Sequence, residues 1–179
     1  MGTQNVSFEV HPSVIFKLGE ELITDDYQAL SELTKNCYDA DASRAKISIN
    51  SDRYYKVNRG TIVECSKNDE GALLGIIRIE DDGCGMSEDD IRQGWLTISS
   101  SKKREMKKRG YRTEKGRTPL GDKGLGRLGT QRLGPVLRMS TKTKSGQALV
   151  ALIDWRRFQS DNPLSTILIP IQEDDSFKR

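Results

Sequence analysis

An α+β domain is the fold class that the sequence predicts, and three observations predict it. Residues 26–40 carry Leu30, Leu33, Cys37 and Ala40 on one stripe at the helical period. AKISIN (45–50), TIVEC (61–65) and ALLGIIRIED (72–81) read instead as strands, and helical and extended patterns alternate along the chain. The length of 179 residues, with 35% apolar and 31% charged side chains, suits one globular domain with a sizeable core.

Taken in order, residues 13–25 read as a first short helix. Asp25 or Asp26 is a plausible N-cap for a second helix that runs to about Ala40. The three strands follow, with SDRYYKVNRG (51–60) and SKNDEG (66–71) between them as turns. Ser87 and Asp90 resemble a capping box that opens a helix through Trp95. VLRMSTKT (136–143), QALVALID (147–154) and STILIP (165–170) complete the strands. No internal repeat or linker divides the chain, so 1–179 reads as a single domain. It also reads as the N-terminal part of a larger protein, since EDDSFKR gives no clear domain end.

Several function classes drop out. The longest apolar stretch, 72–79, is far too short to span a bilayer and carries Arg78. The first two dozen residues hold Glu9, Glu20 and Glu21 and lack a long apolar core, so no secretory signal is expected and a cytoplasmic location is. Cys37, Cys65 and Cys84 are odd in number and lack CxxC spacing, which argues for reduced thiols over a disulfide framework or a zinc site. The single histidine, His11, stands beside Pro12, so neither a histidine triad nor a two-histidine metal site can be assembled. The chemistry must come from carboxylates, amides, backbone groups or lysines.

Three stretches carry such groups. In ELTKNCYDA (32–40), Glu32, Asn36 and Asp39 fall within roughly 60° of one another on a helix, away from the apolar stripe. A solvated face would look the same. In IEDDGCGM (79–86), a carboxylate at a strand end precedes two glycines at alternate positions, where a flat ligand can approach the backbone without Cβ interference. An acidic turn reads alike. In PLGDKGLGRLG (119–129), a GxxGxG loop feeds a helical pattern of Leu125, Leu128 and Leu133, and free N–H groups at a helix start favour phosphate. Such a dipole is worth only ~0.3–1 kcal/mol, so Lys123, Arg127 and a metal ion would have to add to it.

In this order and spacing the three stretches resemble the GHKL superfamily, the ATPases of gyrase, heat-shock chaperones, histidine kinases and mismatch-repair MutL proteins. ELTKNCYDA is similar to the N-box, DDGCGM (81–86) to the first glycine box and GDKGLG (121–126) to the second. LTISSSK (96–102) is similar to a Ser/Thr-Ser-Lys segment of the mismatch-repair branch, and the resemblance runs over roughly 11–155. It implies a two-layer Bergerat fold: a mixed β-sheet covered on one face by helices, with ATP beneath a mobile lid at about 97–123.

The resemblance also implies roles. Glu32 would be the general base for the attacking water and Asn36 the Mg²⁺ ligand. Asp81 would accept a hydrogen bond from the adenine amino group, with Gly83, Gly85 and Met86 shaping the purine pocket and Asp39 and Ala40 lining its other side. Gly121, Lys123, Gly124, Leu125, Gly126 and Arg127 would wrap the phosphates, helped by Lys102. Histidine kinases of the superfamily usually lack the glutamate, and no helix with a phosphoacceptor histidine precedes it here, so hydrolysis is favoured over phosphotransfer. A late-strand threonine of the other branches has Thr166 as its best counterpart.

Two activities follow as expectations. One is an Mg²⁺-dependent ATPase module, slow in isolation, whose lid closure and homodimerisation drive a conformational change in a larger protein. The other is an ATP-binding sensor with negligible turnover. The segment 102–117 holds nine basic residues against two acidic ones, which suits either DNA contact or a lid that balances triphosphate charge. A chaperone client, DNA and a signalling or defence partner all stay open as what the whole protein acts on.

Overall fold

The computed structural model describes residues 9–98, 102–121, 124 and 126–177, and all of their side chains except those of Lys102 and Lys103. Helix α1 (Ser13–Leu22) buries Ile15 and Gly19. Helix α2 (Asp26–Asp39) begins at Asp25, whose side chain accepts a hydrogen bond from the Gln28 amide at 2.7 Å. That is the expected capping geometry, and it satisfies one of the free N–H groups of the first turn. Ala29 and Cys37 are the buried residues of α2.

Strand β1 (Ala45–Asn58) is longer than expected, because most of the predicted turn at 51–60 is extended. Tyr54, Tyr55 and Val57 are strand formers, and Arg59–Gly60, with φ of 47° and 77°, supplies the turn into β2 (Thr61–Cys65). A register shift between Asn50 and Tyr54 lets β1 pair with both β2 and β3 (Leu73–Asp81). The Ser87–Asp90 capping box forms as predicted, with Asp90 Oδ2 accepting from Ser87 N and Oγ and Ser87 Oγ accepting from Asp90 N. It opens a π-helix (Asp90–Leu96) rather than an α-helix.

Helix α3 (Lys102–Lys108) lies in the lid segment. A 3₁₀ turn (Gly126–Gly129) and the short α4 (Thr130–Leu133) follow, then β4 (Val136–Lys142) and β5 (Ala148–Asp154) as expected. The strand expected at 165–170 is displaced. Leu164–Thr166 is a 3₁₀ turn closed by Thr166 N on Pro163 O, and β6 is Ile171–Glu173.

The α+β class stands, but the expected mixed sheet does not form among the described residues. The strands divide into two antiparallel sheets, β2–β1–β3 and β4–β5–β6. Where a ladder between β3 and β4 would lie, the glycine-rich turn after β3 reaches β4 instead. Met86 N donates to Thr141 Oγ1 at 2.9 Å, and a Cβ on Gly85 would collide with the Lys142 carbonyl. The core joins Ile15 of α1, Leu128 of the 3₁₀ turn, Ile153 of β5, Trp155 and Phe158. Each such side chain contributes about 1.5–3 kcal/mol on burial, which ties the helices to the second sheet.

Candidate nucleotide site

Every described residue expected to bind nucleotide lines one cleft of about 2180 Å³: Glu32, Asn36, Asp39, Ala40, Asp81, Gly83, Gly85, Met86, Gly121, Gly124, Gly126 and Arg127. Lys123 and Leu125 fall outside the described residues, as does the side chain of Lys102. The cleft exceeds the few hundred to ~1,000 Å³ usual for a small-molecule site because it continues along the β1 and β3 face. The polar stripe of α2 therefore faces a cavity, and Cys37 lies beneath it at 5% exposure.

Glu32 and the second glycine box touch. A Cβ built on Gly126 would stand 2.7 Å from Glu32 Oε2 and 3.0 Å from Glu32 Cβ, so only glycine lets the loop lie against this carboxylate. The other oxygen, Oε1, accepts from Lys35 Nζ at 2.6 Å. That hydrogen bond, and then the Glu32 charge, raise the Lys35 ammonium above its ordinary value. Asn36 sits one turn on, half-buried, and its amide has no hydrogen-bond partner among the described residues.

At the other end of the cleft, Asp81 Oδ1 accepts from Gly83 N at 2.9 Å. A Cβ on Gly83 would meet Ala40 O at 2.6 Å and the Ala40 side chain at 2.8 Å, so the first glycine box rests directly on the end of the N-box. Burial, then the charge and hydrogen bonding of Asp81, push the Cys37 thiol up to about 11. Cys37 is thus a neutral donor at physiological pH, a packing residue rather than a nucleophile.

Four arrangements were not foreseen. Asp82 Oδ1 accepts from Ser43 N at 2.7 Å and Arg44 N at 2.8 Å, pinning the α2–β1 turn to the end of β3. Hydrogen bonding from Arg44 and then, against the opposing pull of burial, from Ser43 holds its carboxyl below the usual value. Thr141, buried in β4, takes the Met86 amide, while Thr166 is exposed and donates to Pro163 O. Asp39 accepts from two lid-end amides, Leu120 N and Gly121 N. Finally, Arg127 Nη1 donates to the carbonyls of Gly94, Trp95 and Thr97, and burial lowers its guanidinium to about 10. Arg127 thereby fastens the 3₁₀ turn to the end of the π-helix, a structural use of a cation expected to meet phosphate. The local sequence shows Asp82 as one acid of a pair and Thr141 as one hydroxyl of a strand; nothing nearby names their distant partners.

The family model for histidine kinase-, DNA gyrase B- and HSP90-like ATPases matches residues 24–179, the span that contains all of these elements. The chain belongs to this ATPase family. The family relation makes it an ATP-binding module of GHKL type and accords with the geometry, in which the N-box and both glycine boxes converge on one cleft. No curated protein matches it. Among the described residues, no helix is long and apolar enough to cross a membrane.

The chemistry of the donor set suits Mg²⁺. Among the described residues no group of three or more His, Cys, Asp or Glu forms a metal cage. Mg²⁺ is commonly held by one or two protein oxygens and the phosphates of its nucleotide, and the uncommitted Asn36 amide supplies such an oxygen without adding negative charge beside a triphosphate.

Proposed function

We propose that this module hydrolyses ATP with Mg²⁺, and that its turnover drives a conformational change in a larger protein. The observation that carries this reading is the packing of Gly126 on Glu32. It puts a carboxylate at the phosphate-binding loop, one helical turn from an amide suited to the metal. Glu32 takes the proton of the attacking water, and the Lys35 ammonium beside it favours the ionised, proton-accepting form. Mg²⁺ on Asn36 would supply charge neutralisation at the phosphates. The adenine end is placed by Asp81 as acceptor, with Gly83, Gly85 and Met86 along its flat face; loop amides near Gly121, Gly124 and Gly126 receive the phosphates. Dimerisation on lid closure is part of the same reading.

Calorimetry with MgATP beside phosphate release tests it. The Glu32→Ala protein should bind ATP like the wild type and turn over ~10²–10⁴-fold more slowly. Equal turnover in the two proteins would remove Glu32 from the reaction.

Nucleic-acid contact has one observation in its favour. Arg104, Lys108 and Arg109 are exposed, have no side-chain partner among the described residues and do not line the cleft, so their charge faces away from nucleotide. Duplex DNA should bind with a salt-dependent affinity that falls when Lys108 and Arg109 are neutralised. Absence of binding at low salt would exclude the contact.

A further inference from the structure

The lid is moored at its C-terminal root. Asp39 Oδ1 accepts from Leu120 N at 2.7 Å and Oδ2 from Gly121 N at 3.2 Å, so both carboxylate oxygens hold consecutive amides at the threshold of the second glycine box. Arg117 Nη1 donates to Ala42 O at 2.8 Å and Tyr38 O at 3.2 Å, and its guanidinium lies 4.6 Å over the Tyr38 ring. Lys115 Nζ donates to Asp41 O at 2.5 Å and Ser43 Oγ at 2.6 Å, while its amide donates to Asp41 Oδ2 at 3.2 Å. Two lid cations thus cap carbonyls at and just beyond the C-terminal end of α2, where the helix dipole favours positive charge. The lid root is shaped for this by its own turn: Thr113 N donates to Arg117 O, and Arg117 N to Thr113 Oγ1, both at 3.0 Å.

We propose that Asp39 is a positioning residue for the phosphate loop rather than a wall of the purine pocket, and that Lys115 and Arg117 complete a clamp fixing the lid root to the end of α2. The inference deepens the ATP-binding reading by assigning Asp39 to the phosphate end of that site. A charged acceptor for two backbone amides gives short, directional bonds, and losing it frees the loop to sample conformations in which its N–H groups no longer converge. Arg117 acts one step earlier, since it holds the strut from which residues 118–121 extend. The moving part of the lid is then the stretch before Thr113, which includes α3 and the left-handed Gly110 at φ 68°.

Two measurements on Asp39→Ala test this, with Asp39→Asn and Arg117→Ala as companions should the alanine variant fail to fold. Hydrogen exchange of the nucleotide-free protein reads the clamp without invoking ATP: amides at 113–121 should exchange about 10-fold faster or more, with 81–86 unchanged. Calorimetry then compares ATP with adenosine. A positioning role weakens ATP about 10-fold and spares adenosine; a purine-wall role weakens both alike and overturns the assignment. Unchanged exchange at 113–121 in a folded variant overturns the clamp itself. A wild-type protein that binds neither ligand would refute the ATP reading and with it the role of Asp39 at the phosphate end, while the exchange result would still decide whether the clamp exists.

Discussion

Gly126 is the residue whose replacement says most about the base. The Gly126→Ala methyl would stand 2.7 Å from Glu32 Oε2, too close for both atoms to stay where they are. Its backbone is not in the left-handed region, so the fold itself tolerates alanine there. The expected outcome is a loss of kcat of at least 10-fold with a melting temperature within a few degrees of wild type, checked by phosphate release and thermal unfolding. Asp81→Asn should act on binding instead, because an amide can present a donor where the adenine amine also donates. Calorimetry that finds ATP affinity unchanged in Asp81→Asn would displace the purine from this end of the cleft.

Among elements, the α2–β1 turn carries more than its length suggests. Cys84 N donates to Ala40 O at 2.8 Å, Asp82 holds Ser43 and Arg44, and Lys115 and Arg117 grip the same few residues from the lid side. Asp82 has its folded pKa depressed below 3.8, so its contribution to stability is fully present above that value and is lost as pH falls through the folded value. The amide resonances of Ser43 and Arg44 should therefore titrate together with a midpoint below 3.8. A midpoint at or above 3.8 would mean that the carboxylate does not hold them. Much of this region was legible in sequence, for a physical reason. Cap, stripe and glycine signals are local: Asp25 capped α2, and Glu32, Asn36 and Asp81 came to one cleft. Partners 38 to 82 residues apart, such as Ser43 with Asp82 or Asp39 with Gly121, leave no local mark, so Asp39 looked like a purine contact.

Across the whole molecule, Arg138 is a joint between the sheets. From β4 it donates to Asp174 Oδ1 at 2.8 Å, beyond the end of β6, and to Gly60 O at 3.4 Å, in the β1–β2 turn. Asp174 is only 8% exposed and also accepts from Ser140 and Ser176 hydroxyls. Burial would raise its carboxyl, but those hydroxyls and then the Arg138 charge hold it below its ordinary value. Asp174→Ala should leave the guanidinium short of its counterion and cost about 3 kcal/mol in urea unfolding. A loss under ~0.5 kcal/mol would show that solvent already serves Arg138. The division into two sheets was hidden from sequence because alternation marks a strand without naming its neighbour; β1 through β5 were visible, their pairing was not.

The π-helix at Asp90–Leu96 has a consequence for insertions and deletions. It spends more residues per turn than an α-helix, as though one residue had been added to a helix already in place. Its final carbonyls, at Gly94 and Trp95, point to Arg127 from that widened turn. Deleting a single residue such as Gln93 would let the segment relax to α geometry and rotate everything after it by about 100°. The chain would then leave Leu96 on a new heading, and the approach to the lid would change phase while every nucleotide-facing side chain kept its identity.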